Sequence, residues 1–384
     1  WEIYVVTHSH CDVGFTHPAS EVAEIHNKNL DLALAAIRAT EHWPEEARFR
    51  WTIENSWQLE NYRKSRSPSL IKRVIEEAEA GRIEVTACYL HNHFDILGAN
   101  QLHRITWEAE WWRRQGIRVD TAMLSDIPGV TWGIIPVLRA AGVQYLAMAP
   151  NNFSAPFHQF APPDRPFYWA EPGGERLLVW YTGDPYWAYI EGARYGLLED
   201  VKTVAEKLPD LLIDLEESYP FPYLMLQVAF DNDRFQISPA LVVQEWNSVY
   251  AWPRLRTALP SDFFRRIEEE YGNELPVAKG DWPSWWVTST TAYPREAAAS
   301  RRAHRDLAIV ESLATLADSV NEAYAYPHDR IGQAYRDLLT FDEHSGLGGI
   351  WIAFSQHKQV QALEEGKAFL SRPIGELPIL MKEV

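Results

Sequence analysis

The chain has 384 residues, room for a large α/β domain with a smaller one beside it, and 46% of them are hydrophobic, so a packed core is expected rather than disorder. Its 53 Asp and Glu against 36 Lys and Arg leave a formal charge of −17, which repels phosphate backbones and makes nucleic acid a poor candidate partner. Two cysteines, Cys11 and Cys88, exclude a four-cysteine zinc site or a disulfide scaffold and favour a reducing, cytoplasmic setting, and no stretch offers the ~18 apolar residues of a membrane span.

Along the chain, the β-branched run Ile3 to Val6 predicts a first strand with polar chemistry directly after it. A helix follows over Glu21 to Thr40, then a short strand over Arg50 to Ile53 and a helix over Ser69 to Ala80. Arg82 to Thr86 reads as a strand, Leu102 to Gln115 as a helix and Val119 to Leu124 as a strand. Trp132 to Ala141 is expected helical, Val143 to Met148 extended, the stretch near Val201 to Leu215 helical and Tyr223 to Val228 extended. Asn151 to Gly174, rich in Pro, Asn and aromatics, predicts a long loop over a site. Gly280 to Pro294 predicts a bridge between domains. From Glu296 the pattern turns helical, over Glu296 to Asn321, Asp329 to Leu339 and Gln356 to Leu370. The strand–helix alternation predicts a parallel sheet closed into an α/β barrel over residues 1–290, with a small helical bundle over 291–384.

Seventeen Trp and seventeen Tyr serve packing first, but a flat aromatic face also suits the C–H face of a sugar ring, so a carbohydrate is the candidate ligand. Four polar runs carry candidate chemistry. His8-Ser9-His10-Cys11-Asp12-Val13-Gly14-Phe15 follows the first strand, where an α/β barrel keeps its active site. His10 and Asp12 are two apart, project from one side of extended backbone and are both good zinc ligands, while Gly14 permits a tight turn. Asp126, in Ser125-Asp126-Ile127-Pro128-Gly129, follows a strand and precedes a helix. Asp231 and Asp233, in Phe230-Asp231-Asn232-Asp233, follow another strand, and two carboxylates so close push one pKa upward, as a general acid needs. His344, in Asp342-Glu343-His344-Ser345-Gly346, lies between helical segments.

In this order and spacing, the runs resemble those of glycoside hydrolase family 38, the α-mannosidases. His8 to Phe15 matches the family's His-x-His-x-Asp-x-Gly-aromatic run, Asp126 to Gly129 its Asp-x-x-Gly element, and His344 to Gly346, loosely, its late His and small turn. Pro128 to Val143 and Val277 to Trp282 are similar to it too, so the resemblance covers residues 1 to about 350. It implies a seven-stranded (β/α) barrel followed by a helical bundle. It also implies a zinc or other divalent cation held by His10, Asp12, Asp126 and His344. Asp126 would be ligand and nucleophile together, with Asp231 or Asp233 as general acid/base, Asp231 being nearer the strand end. Phe15 and Ser345 would contact the sugar. Phe15 replaces the usual Trp and loses an N–H donor, Ile127-Pro128 replaces Pro-Phe, and Ser345 replaces an Asp, so the sugar specificity is open. The family's β-sandwich domains beyond the bundle, or a second copy of the chain, would complete the molecule. Two other readings share these residues: a metal-dependent polysaccharide deacetylase, and a non-catalytic sugar-binding module.

Overall fold

A computed structural model describes residues 1–151, 165–182, 188–347 and 359–384. The chain divides into two compact units. The first comprises Trp1–Cys11, Ala23–Tyr89 and Thr106–Pro283; the second comprises Asp12–Val22, Leu90–Ile105 and Ser284–Val384.

The first unit holds ten described strands: β1 (Glu2–Thr7), β2 (Trp51–Ile53), β3 (Ile83–Val85), β4 (Thr121–Asp126), β5 (Tyr145–Pro150), β6 (Arg165–Ala170), β7 (Arg176–Tyr181), β8 (Tyr223–Val228), β9 (Arg254–Ala258) and β10 (Val277–Lys279). They form three sheets, in the orders β8-β1-β9, β10-β6-β7-β5-β4 and β2-β3. All pairs are parallel except the β6–β7 hairpin. The architecture is a mixed α/β fold with a five-stranded sheet, and closure of the strands into the seven-stranded barrel expected from the resemblance is not seen among the described residues. β2 and β3 have three residues each and form a two-stranded sheet, and β6 and β7, both interior strands of the five-stranded sheet, pair antiparallel in an otherwise parallel ladder.

That hairpin also corrects the long-loop expectation, since β6 lies within Asn151 to Gly174; residues 152–164 fall outside the described part. The Glu171 carboxylate accepts from the N–H groups of Gly173 and Glu175 at 2.6 and 2.7 Å, and Gly174 takes φ 101°, so Pro-Gly-Gly closes a tight turn. The predicted helix over Leu102 to Gln115 is two helices, Ala99–Arg104 and Trp107–Arg114.

Strands β1, β4, β5 and β8 are apolar and buried along nearly their whole length, as parallel strands covered on both faces require. Trp112, Trp169, Trp180 and Trp282 are among the largest fully buried side chains, so much of the aromatic load is core. In the second unit, helices Pro294–Val320, His328–Phe341 and Gln359–Glu383 pack through Leu307, Val310, Ile331, Leu338, Leu377 and Leu380. No described helix is long and apolar enough to cross a membrane.

Candidate functional site

In the first unit, three polar runs leave strand ends. The β1–β8 ladder ends with Thr7 opposite Val228, and three residues on, at the same offset, His10 stands opposite Asp231. The His10 N–H donates to the Phe230 carbonyl at 3.1 Å, and the Asn232 N–H to the His10 carbonyl at 2.8 Å. Asp231 therefore inherits its position from strand pairing. Its carboxylate accepts a short hydrogen bond from the buried Tyr189 hydroxyl, and the Tyr189 ring stacks on His10 with centroids 4.4 Å apart. Asp233 is turned elsewhere: its carboxylate accepts from the neighbouring Arg234 N–H at 2.7 Å, and its carbonyl accepts from Ser9 and Asn29.

Asp126 ends β4 with φ 68°, a left-handed conformation uncommon outside glycine. Asn151 Nδ2 donates to its Oδ1 at 3.0 Å, and the Asn151 N–H to its carbonyl at 3.1 Å. The other described non-glycine residues with positive φ are Ala188, next to Tyr189, and Asn232, next to Asp231. Local backbone strain in this unit thus collects around the two aspartates, as it does at functional sites. The glycine of the Asp126–Gly129 element has a packing reason: a Cβ on Gly129 would meet the Trp282 carbonyl oxygen at 2.5 Å. Val130 bridges Trp282 and the Trp132 N–H donates to Asp281 at 2.7 Å, so the two motifs flanking this element pack together.

His10 and His8 converge on Glu54, a fully buried carboxylate directly after β2. His10 Nδ1 lies 3.0 and 3.2 Å from its two oxygens, His8 Nδ1 lies 3.3 Å away, and the Cys11 N–H donates at 2.8 Å. His8 Nε2 also meets Gln227 at 3.1 Å.

In the second unit, Asp12 and His344 come together: His344 Nε2 lies 3.1 Å from Asp12 Oδ1, and the Ser345 hydroxyl donates to the same oxygen at 2.9 Å. Ser345 is 1% exposed, and this hydrogen bond is its described role. Phe15 is half-buried, one residue past Gly14, which takes φ 93° within a bend. The segment after Leu90 fixes His344: its N–H donates to the His91 carbonyl at 2.9 Å, Asn92 bridges Glu343, and the His93 N–H donates to the Asp342 carbonyl. The Glu343 carboxylate contacts His344 Nδ1; burial pushes this carboxyl up, against the pull of His344. Asp342, fully buried, accepts from His304 Nε2 at 2.7 Å, Ser300 Oγ at 2.8 Å and Arg301. Burial opposes its ionisation, but Arg301 and His304 outweigh burial and hold it below the usual carboxylate range.

Each unit thus gathers one His and one Asp of the predicted ligand set. Glu54, Tyr189, Asn151 and the His91–His93 segment went unpredicted. Glu54 had a signal, a carboxylate directly after a predicted strand; His91-x-His93 had the same two-residue spacing as His8 and His10. Asn151 had only its place at the head of the loop expected over a site, and Tyr189 had none.

Comparison with known proteins gives the following. Residues 1–287 match the sequence profile described as "Glycosyl hydrolases family 38 N-terminal domain". An alpha-mannosidase from Enterococcus faecalis V583 is similar in structure, with TM-score 0.76 and 17% identity over 100% of this chain and 43% of that chain. A second family 38 protein from Enterococcus faecalis gives TM-score 0.67 at 16% identity, over 100% of this chain and 40% of that one. A 4-alpha-glucanotransferase from Thermococcus litoralis gives 0.55 at 14% identity, over 96% and 60%. At these identities the likeness speaks for the fold, and the chain spans less than half the length of the first two structures. No curated protein matches the chain.

Proposed function

The chain belongs to family 38 of the glycosyl hydrolases through its N-terminal domain, and from that premise we propose that it hydrolyses terminal α-linked sugars, α-mannosides first, with retention at the anomeric carbon. One observation carries the reading above the others: Asp126 stands at the end of a parallel strand in a left-handed turn, with Asn151 fixing its carboxylate.

Asp126 is the nucleophile. It attacks the anomeric carbon while Asp231 gives its proton to the leaving oxygen, leaving the sugar as an ester on Asp126. Asp231 then takes a proton from water as that water attacks the same carbon and frees Asp126. Asp231 is preferred to Asp233 because Tyr189 orients its carboxylate, whereas Asp233 is spent on its own turn. His10, Asp12, Asp126 and His344 would hold a divalent cation, a role their chemistry supports: two imidazoles and two carboxylates can hold a metal ion and suit zinc. When bound, such a cation supplies positive charge that orients sugar hydroxyls and favours the ionised form of Asp126.

A panel of aryl α-glycosides, assayed with and without chelator, tests the proposal. Turnover of aryl α-mannosides that falls on chelation and returns with zinc is expected. Release of acetate from acetylated sugars without glycoside cleavage would overturn it.

A further inference from the structure

We propose that Glu54 is a positioning residue that sets the tautomer of His10, holding the ring proton on Nδ1 so that Nε2 carries the lone pair offered to a cation. The inference rests on the ligand role proposed above for His10.

Three observations carry it. First, an ionised carboxylate has no proton to give, so the groups that face it best are donors. Glu54 faces the Cys11 N–H at 2.8 Å and His10 Nδ1 at 3.0 and 3.2 Å, which assigns the His10 proton to Nδ1. Second, the anchor is rigid. The Glu54 carbonyl accepts from the Thr86 hydroxyl at 2.6 Å, and the next residue, Asn55, caps helix Ser56–Ser65 through the Gln58 N–H. The carboxylate therefore hangs from a strand end on one side and a capped helix on the other, and is itself 0% exposed. Third, the plane of the His10 ring is set independently by stacking on Tyr189 at an interplanar angle of 25°. One contact fixes the ring's plane, the other its proton.

A carboxylate on the non-ligating nitrogen of an imidazole orients the ring and raises its basicity, and losing it costs about 10–100-fold in metal affinity. Glu54→Gln keeps the shape but turns an amide N–H₂ toward one of the donors, so either Cys11 N–H or His10 Nδ1–H loses its acceptor.

The experiment uses the full chain and zinc as the probe. Zinc affinity is measured by competition with a chromophoric chelator for the wild type, Glu54→Gln and Glu54→Asp. Ring ¹⁵N spectra of the zinc-free wild type, with His10 assigned by its loss in His10→Asn, report the tautomer. The expected result is one zinc per wild-type chain, about 10–100-fold weaker binding in Glu54→Gln, partial rescue in Glu54→Asp, and a His10 proton on Nδ1. Equal affinity in wild type and Glu54→Gln, or a proton on Nε2 in the wild type, overturns the role of Glu54 while leaving the cation site standing. A wild type that binds no zinc refutes the ligand role itself, and the ¹⁵N spectrum then still decides the tautomer. The spectrum decides equally if Glu54→Gln fails to fold.

Discussion

The two units hold their candidate side chains by different physics. In the first, Asp126 and Asp231 follow parallel strands, and the ladder that pairs Thr7 with Val228 runs on to pair His10 with Asp231. In the second, Asp12 stands on irregular backbone and His344 opens the four-residue helix His344–Leu347, held by the His91–His93 segment and by the buried polar cluster of Asp342, His304, Arg301 and Ser300. The contrast extends to charge. The first unit buries Glu84 on β3, where burial pushes the carboxyl up to about 7 despite donors on Ser261; the second buries Asp342, which Arg301 and His304 hold down. Side chains placed by strand ends rest on backbone geometry, whereas side chains placed by a polar cluster depend on every member keeping its partner.

Asp126→Ala should be the most damaging change, lowering kcat about 10⁴-fold or more, because nucleophiles acting in a concerted set lose nearly everything when removed. Steady-state rates on an aryl α-mannoside check it, and near-normal turnover would remove Asp126 from the reaction. Asp231→Asn should follow, slowing substrates with poor leaving groups by about 10²–10⁴-fold and activated aryl glycosides far less. Asp233→Asn should stay within a few-fold on both, and equal slowing by the two variants would cancel the assignment drawn from Tyr189.

The polar cluster gives the next effect. Asp342→Asn leaves Arg301 and His304 without their buried anion and should destabilise the second unit by about 3 kcal/mol, read by denaturant unfolding. A loss below about 0.5 kcal/mol, the range of an ordinary surface substitution, would show that the cluster holds nothing. Glu84 gives an effect of the same order and the opposite pH signature. Its folded pKa lies above the unfolded value, so its contribution is full below about pH 4.5 and is lost as pH rises toward about 7. Glu84→Gln, compared with wild type by thermal melting, should gain stability as pH rises from 5 to 8, by about 3 kcal/mol at the upper end. A pH-independent difference would break the comparison for the first unit.

The same difference explains what was legible in the sequence. The runs around His10, Asp126 and Asp231 could be found because a strand's C-terminal end is a recognisable place for chemistry, and apolar β-branched runs announce strands. The sheet arrangement could not be found that way. Whether parallel strands close into a ring depends on pairing partners, and β6–β7 hid behind Pro and Gly that read as a loop. The His344 run stood out as a polar run between helical segments, but such a place offers no comparable rule, and a ligand role for it came only from the resemblance. Glu54 and Tyr189 pair with residues distant in the chain; the strand before Glu54 marks its place but not its partner, and nothing local marks Tyr189.

The most direct test of the account is to trap the proposed intermediate. A fluorinated α-mannosyl fluoride that slows the second step, followed by proteolysis and mass spectrometry, should leave the sugar on the peptide carrying Asp126. A label on the peptide carrying Asp231, or a first product of inverted configuration with no labelled peptide, would contradict it.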